Sequence, residues 1–132
     1  MTRLLLVALG GAIGSVARYG FGMAALRLAP GATWPWATLS VNLIGGFAMG
    51  LLTGWLAHRG GAGQDGVRLF AAVGLMGGFT TFSAFSLETA LMIQRRDYGM
   101  AAAYVGLSVV LAVAALFAGL MTARKAFPDL GA

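Results

Sequence analysis

The sequence predicts an all-α membrane protein with four transmembrane helices, the third broken near Gly77–Thr81. Three observations predict it. Hydrophobic residues make up 59% of the 132 and charged residues 10%, against about 45–50% and about 25% in a soluble domain. A water-facing surface cannot be built from so little charge, which excludes a soluble globular enzyme, and so much apolar surface excludes disorder. Four stretches each reach the roughly 20 apolar residues that cross a hydrocarbon core. The third stretch is too long to cross straight and holds poor helix formers at its centre. One domain is expected over residues 1–132.

The first stretch runs from Leu4 to Leu28. Arg3, LLLVALGGAIG and Ser15-Val16-Ala17 have the three-part look of a cleaved signal peptide. The apolar character continues to Leu28 and three more spans follow, so a retained span is expected. The second runs from Trp36 to Ala57, after a Pro- and Gly-rich turn at Pro30–Pro35. The third runs from Val67 to Ile93, after a flexible loop at His58–Gly66, and the fourth from Ala101 to Ala123, after QRRDYG at Gln94–Gly99. A short polar tail, Arg124–Ala132, follows.

The chain carries a net charge of +5. Its basic residues are scattered between apolar runs and form no stripe, so nucleic acid is not an expected partner. Loops facing anionic headgroups account for the sign. With four spans, Arg3, Arg59, Arg68, Arg124 and Lys125 share one side and Arg27, Arg95 and Arg96 the other. This near balance fits either one orientation with a modest bias or insertion in both. The chain has no Cys and a single His, which removes disulfides, thiolate sites and a poly-His metal site within one chain.

Gly10, Gly14 and Gly22 recur on one face of the first span, with Arg18 in register, and Asn42, Gly46, Gly50 and Gly54 on one face of the second. Such ridges let two backbones approach closely. Four helices of this length enclose little interior, so oligomerisation is expected, most simply as a dimer.

As one helix the third stretch would be roughly 40 Å long, against a core of about 30 Å. Gly74, Gly77, Gly78, Thr80, Thr81, Ser83 and Ser86 interrupt it. The interruption is either a kink that eases packing or a break whose freed carbonyls coordinate a cation. Phe79, Phe82 and Phe85 fall three apart, either as a packing stripe or as ring edges, weakly positive, that face a small anion, with Ser83 and Ser86 on the same half-helix adding hydroxyl donors.

Other polar residues carry paired readings. Asn42, one turn from Thr38, either bonds a neighbouring helix or offers its amide donors to an anion. Arg18 either snorkels to the interface or sets a positive potential at an ion entrance. Tyr104 is an interfacial anchor or part of a polar track, and Ser108, one turn on, back-bonds to its own helix or joins it. Glu88 lies near the end of the third span, within reach of headgroups, while Asp65, Asp97 and Asp129 look solvated. No acid pair, activated nucleophile or P-loop appears, and GGAIG at Gly10–Gly14 lacks the βαβ context of a dinucleotide motif. The chain is not expected to be an enzyme.

GGAIGSVARY at Gly10–Tyr19, NLIGGFAMG at Asn42–Gly50 and GLMGGFTTFSAFSLE at Gly74–Glu88, in this order in a four-span chain, resemble the Fluc (CrcB-like) family of fluoride channels. The resemblance covers essentially the whole chain. It implies an antiparallel, dual-topology homodimer in the bacterial plasma (inner) membrane, with two pores for passive, selective export of fluoride from the cytoplasm, relieving its toxicity. It implies a central structural Na+ held by backbone carbonyls matching Gly77 and Thr80. Its pore phenylalanines match Phe82 and Phe85, its pore asparagine Asn42 and its vestibule arginine Arg18. Its hydroxyl track matches Ser83, Thr38, Tyr104 and Ser108. Where the family has a second serine one turn later, this chain has Ala112, which implies a shorter track or one completed by water.

The implied chemistry is coherent. Fluoride holds its water tightly, so donors must replace the hydration it sheds. Two other classes compete. A proton-coupled exporter of small cations needs an acid deep in a span. A non-transporting assembly subunit leaves the break and the polar faces without a purpose.

Overall fold

The computed structural model describes residues 1–59 and 63–127, which form helices and turns with no strand among them. Four helical spans are long and apolar enough to cross a membrane: Thr2–Leu28, Trp36–Arg59, Asp65–Gln94 and Tyr98–Ala126. They extend the expected limits by up to three residues at an end. Gly60–Ala62 of the expected flexible loop, and residues 128–132 of the tail with Asp129, lie outside the described residues.

The connections follow from local chemistry. Ala29 leaves the helix at φ −133°, ψ 67° because Pro30 disfavours helical geometry in the residue before it. Gly31 takes φ +76°, which the absence of a Cβ permits. The carbonyl of Pro35 accepts from Leu39 N–H at 3.2 Å and opens the second span. The third span closes on Arg96 at φ 63°. Arg96 N–H donates to Ile93 O at 2.9 Å and Asp97 N–H to Met92 O at 3.0 Å, the bonding of a Schellman turn.

The third span is broken, but more narrowly than the glycines suggested. Arg68–Met76 is wound as a π-helix and Gly77–Phe79 returns to α. Only Thr80 (ψ 157°) and Thr81 (φ −148°, ψ 116°) are extended, before Phe82–Gln94 resumes as helix. Gly77 itself is helical at φ −62°, ψ −37°. The break therefore sits at the C-terminal edge of the Gly77–Thr81 window, on β-branched residues that favour extended geometry. It divides the span into an N-half, 65–79, and a C-half, Phe82–Gln94.

Helices pack in pairs: the first span against the N-half, and the second against the fourth, on which the C-half also rests. The small-residue ridges make both seams. A Cβ at Gly10 or Gly14 would strike the carbonyl oxygens of Phe70 and Leu75, and one at Gly78 would come 2.5 Å from Gly11 O. On the other seam a Cβ at Gly50 would strike Leu116 O, and one at Gly46 would lie 3.0 Å from Ala112 O. Gly22, expected on the first ridge, has no neighbour within 4 Å, because the N-half ends before reaching its level. The small core comprises Leu39, Phe85, Met92, Ala101 and Tyr104, with Trp34, Leu43 and Met100 packed against it.

Candidate ion pathway at the broken helix

The break is built by redirecting hydrogen bonds. In a continuous helix Thr81 N–H would bond Gly77 O and Ala84 N–H would bond Thr80 O. Here Thr81 N–H donates to Asn42 Oδ1 at 2.9 Å, and Ala84 N–H donates to Thr81 Oγ1 at 3.2 Å. Thr81 thus acts as N-cap of the C-half. Asn42 Nδ2 donates back to Thr81 O at 3.1 Å. Thr80 O–H donates to Met76 O at 2.9 Å, and the Thr80 methyl fills the notch left by Gly45, where a Cβ would collide with it.

These substitutions release the carbonyls of Gly77 and Thr80 from the bonds a continuous helix would give them. Neutral carbonyl oxygens suit a hard cation that sheds its water, so the residues present fit a structural Na+. Among the described residues there is no cluster of three or more His, Cys, Asp or Glu that could hold a metal. The fit therefore rests on the backbone.

Beyond the break, a groove of about 230 Å³ is lined by Asn42, Thr80, Thr81, Phe82, Phe85 and Ser108, with Val109 and Ala112. The C-half begins here, and the positive end of a helix dipole favours an anion. The Phe82 and Phe85 rings are 5.4 Å apart but differ in setting. Phe82 is 78% exposed, and Phe85 is 9% exposed with its ring 5.2 Å from that of Tyr104. Phe79 does not share their face, since the break rotates it away to pack beside Gly45. Ser83 Oγ stands 3.3 Å from Thr81 Oγ1. Ser86 is spent on Phe82 O at 2.9 Å, so the expectation that its hydroxyl is a donor for an anion is corrected.

A second cavity, about 470 Å³, opens between the first span, the second span and the C-half, with Arg18, Thr38, Thr81 and Glu88 in its wall. Arg18 does not snorkel. Its Nε donates to Gly78 O at 3.1 Å, where the N-half ends and its carbonyls carry partial negative charge. Glu88 is not a headgroup-facing residue either. It accepts from Thr38 Oγ1 at 2.7 Å and from Tyr104 O–H at 2.6 Å. A carboxylate inside an apolar run must find partners, and these hydroxyls supply them. Tyr104 is 0% exposed, so it is no interfacial anchor. Ser108 does not back-bond to its helix, and its buried Oγ has no partner.

The fold thus brings Asn42, Thr80, Phe82, Phe85 and Ser108 to one groove, and gathers Arg18, Thr38 and Tyr104 around Gly78 and Glu88. The Thr38 and Tyr104 protons are already donated, so these residues act through Glu88 and not as open donors. Sequence reasoning missed Glu88 as an organising residue, although a lone acid in an apolar run was the available sign. It also missed Thr81, for which the one sign was a residue type favoured at N-caps, and Gly45, for which no sign existed.

The family described as CrcB-like protein, Camphor Resistance (CrcB), matches residues 5–120. The chain is 60% identical over 128 residues to a Fluoride-specific ion channel FluC of Caulobacter vibrioides (strain NA1000), covering 96% of this chain and 99% of that protein. A protein of the same name from Phenylobacterium zucineum is 64% identical over 128 residues, with 96% and 99% covered. Another, from Agrobacterium fabrum, is 47% identical over 127 residues, with 96% and 100% covered.

Proposed function

This chain belongs to the CrcB-like family, and from that premise we propose that it is a passive, selective fluoride channel that exports F− from the cytoplasm and relieves fluoride toxicity. It is a multi-pass membrane protein and not an enzyme, and its relatives are named as ion channels. The proposed location is the bacterial plasma (inner) membrane.

The observation that carries the reading is the Thr80–Thr81 break. It turns one span into two half-helices and brings the start of the second, with Asn42, Phe82, Phe85 and Ser108, to one groove. Fluoride entering there loses water, and the donors must be already in place. Asn42 has one amide N–H left after its bond to Thr81 O. Ser83 and Ser108 add hydroxyls, and the Phe82 and Phe85 edges add weak positive charge without a proton to give up. Arg18 keeps its remaining guanidinium donors beside the larger cavity, where a positive potential concentrates anions.

The proposed assembly is an antiparallel homodimer with two pores. The near balance of Arg and Lys between the two ends supports dual topology. A two-fold axis would bring two breaks together, and the Gly77 and Thr80 carbonyls of both copies would then hold a central Na+. The ion's part would be to neutralise converging carbonyl dipoles.

The test is efflux from liposomes containing the purified protein, read with a fluoride electrode and then a chloride electrode. Rapid fluoride release with little chloride release is expected. Folded protein that releases no fluoride overturns the reading.

A further inference from the structure

Two buried side-chain polar atoms among the described residues have no hydrogen-bond partner: Trp34 Nε1 and Ser108 Oγ. Native interiors keep few such atoms. Both sit beside Tyr104. Ser108 follows it by one turn of the fourth span, and the Trp34 ring meets the Tyr104 ring edge-on, centroids 5.7 Å apart at 85°.

Trp34 also completes a row of rings. Phe82 lies 5.4 Å from Phe85, Phe85 lies 5.2 Å from Tyr104, Tyr104 lies 5.7 Å from Trp34, and Trp34 lies 5.9 Å from Trp36. The row runs from the helix break to the loop before the second span, where Trp36 is largely exposed at the level an interfacial tryptophan occupies. The Tyr104 proton is committed to Glu88. The indole N–H of Trp34 is uncommitted, and it can donate but never accept. That chemistry suits a small anion.

We propose that the indole N–H of Trp34 is a fluoride-binding donor at the outer end of the pathway, continuing the row of aromatic edges that starts at Phe82. This rests on the fluoride-channel reading. Trp34 takes the ion where it has shed part of its water, with the Tyr104 ring holding the indole in place.

The experiment is fluoride efflux from liposomes by Trp34→Phe over a range of internal fluoride, with dimer content checked by size exclusion. Phenylalanine keeps a ring against Tyr104 and removes only the donor. An efflux rate about tenfold lower at low fluoride, converging on the unmodified rate at high fluoride, is expected for loss of one hydrogen bond to an ion. A purely structural role would lower the rate equally at all concentrations. In a Trp36→Phe, Trp55→Phe background, Trp34 emission should respond to fluoride and not to a large organic anion. Trp34→Phe conducting normally at every concentration overturns the proposal. If Trp34→Phe does not assemble, the emission decides, and silence to fluoride overturns it. Absence of efflux from the unmodified protein overturns the channel reading instead.

Discussion

Asn42 grips Thr81 by both edges of the peptide, donating Nδ2–H to its carbonyl at 3.1 Å and accepting its N–H on Oδ1 at 2.9 Å. One amide side chain therefore replaces the helical partner that the break takes from Thr81 N–H and adds a donor to its carbonyl. Non-helical backbone at membrane depth persists only where protein satisfies it, and here Asn42 does so from the neighbouring span. Asn42→Ala leaves Thr81 N–H unpaired, at about 1–3 kcal/mol. A lowered melting temperature in detergent and loss of most fluoride efflux are expected. Asn42→Asp keeps the acceptor but sets a carboxylate oxygen against Thr81 O, so it should not rescue flux.

Thr38 and Tyr104 converge on the two oxygens of Glu88. Tyr104→Phe and Thr38→Val each leave one oxygen without its donor, at about 1–3 kcal/mol. Because the two bonds share one carboxylate, the double variant should depart from the sum of the singles by more than distant sites would. Thermal denaturation of the four proteins measures the coupling, and strict additivity would separate the two hydroxyls.

Phe82 and Phe85 should answer differently to the same change. Phe85 is in the core beside Tyr104, and Phe82 is open to the surroundings. Ile in place of Phe85 removes buried ring atoms and leaves a void, which costs about 1–3 kcal/mol, and lowers both stability and flux. Ile in place of Phe82 lowers flux with stability unchanged. Unchanged flux in both variants removes the rings from the conduction mechanism.

Gly119 and Gly106 lie on the same span and make opposite predictions. A Cβ on Gly119 would meet Phe47 O and come 2.9 Å from Leu51 N, whereas one on Gly106 has nothing within 4 Å. Gly119→Ala should push the second and fourth spans apart and destabilise the protein by about 1–3 kcal/mol. Gly106→Ala should leave the melting temperature unchanged. Equal effects would show that the seam tolerates a methyl group.

The glycine spacing on the first two spans was a sound guide because residues four apart on a helix share a face whatever lies opposite. It went wrong at Gly22, where the opposing half-helix has already ended; the Gly77–Gly78 pair lies in the helical turn just before the break at Thr80–Thr81. The stripe of three phenylalanines failed for a related reason. Two extended residues between Phe79 and Phe82 destroy the common phase that equal spacing assumed.

The sequence by itself determined the all-helical class, the four spans and their approximate limits, the two small-residue seams and the presence of a break. Each depends on length, hydropathy or spacing within a segment, and these are local quantities. The tertiary structure alone decided that Arg18 caps Gly78, that Thr38 serves Glu88 and that Asn42 holds Thr81. These pairs lie 60, 50 and 39 residues apart in the chain. They meet only because the helices pack at particular rotations, and the rotation of one helix against another is set by close contacts that no single segment contains.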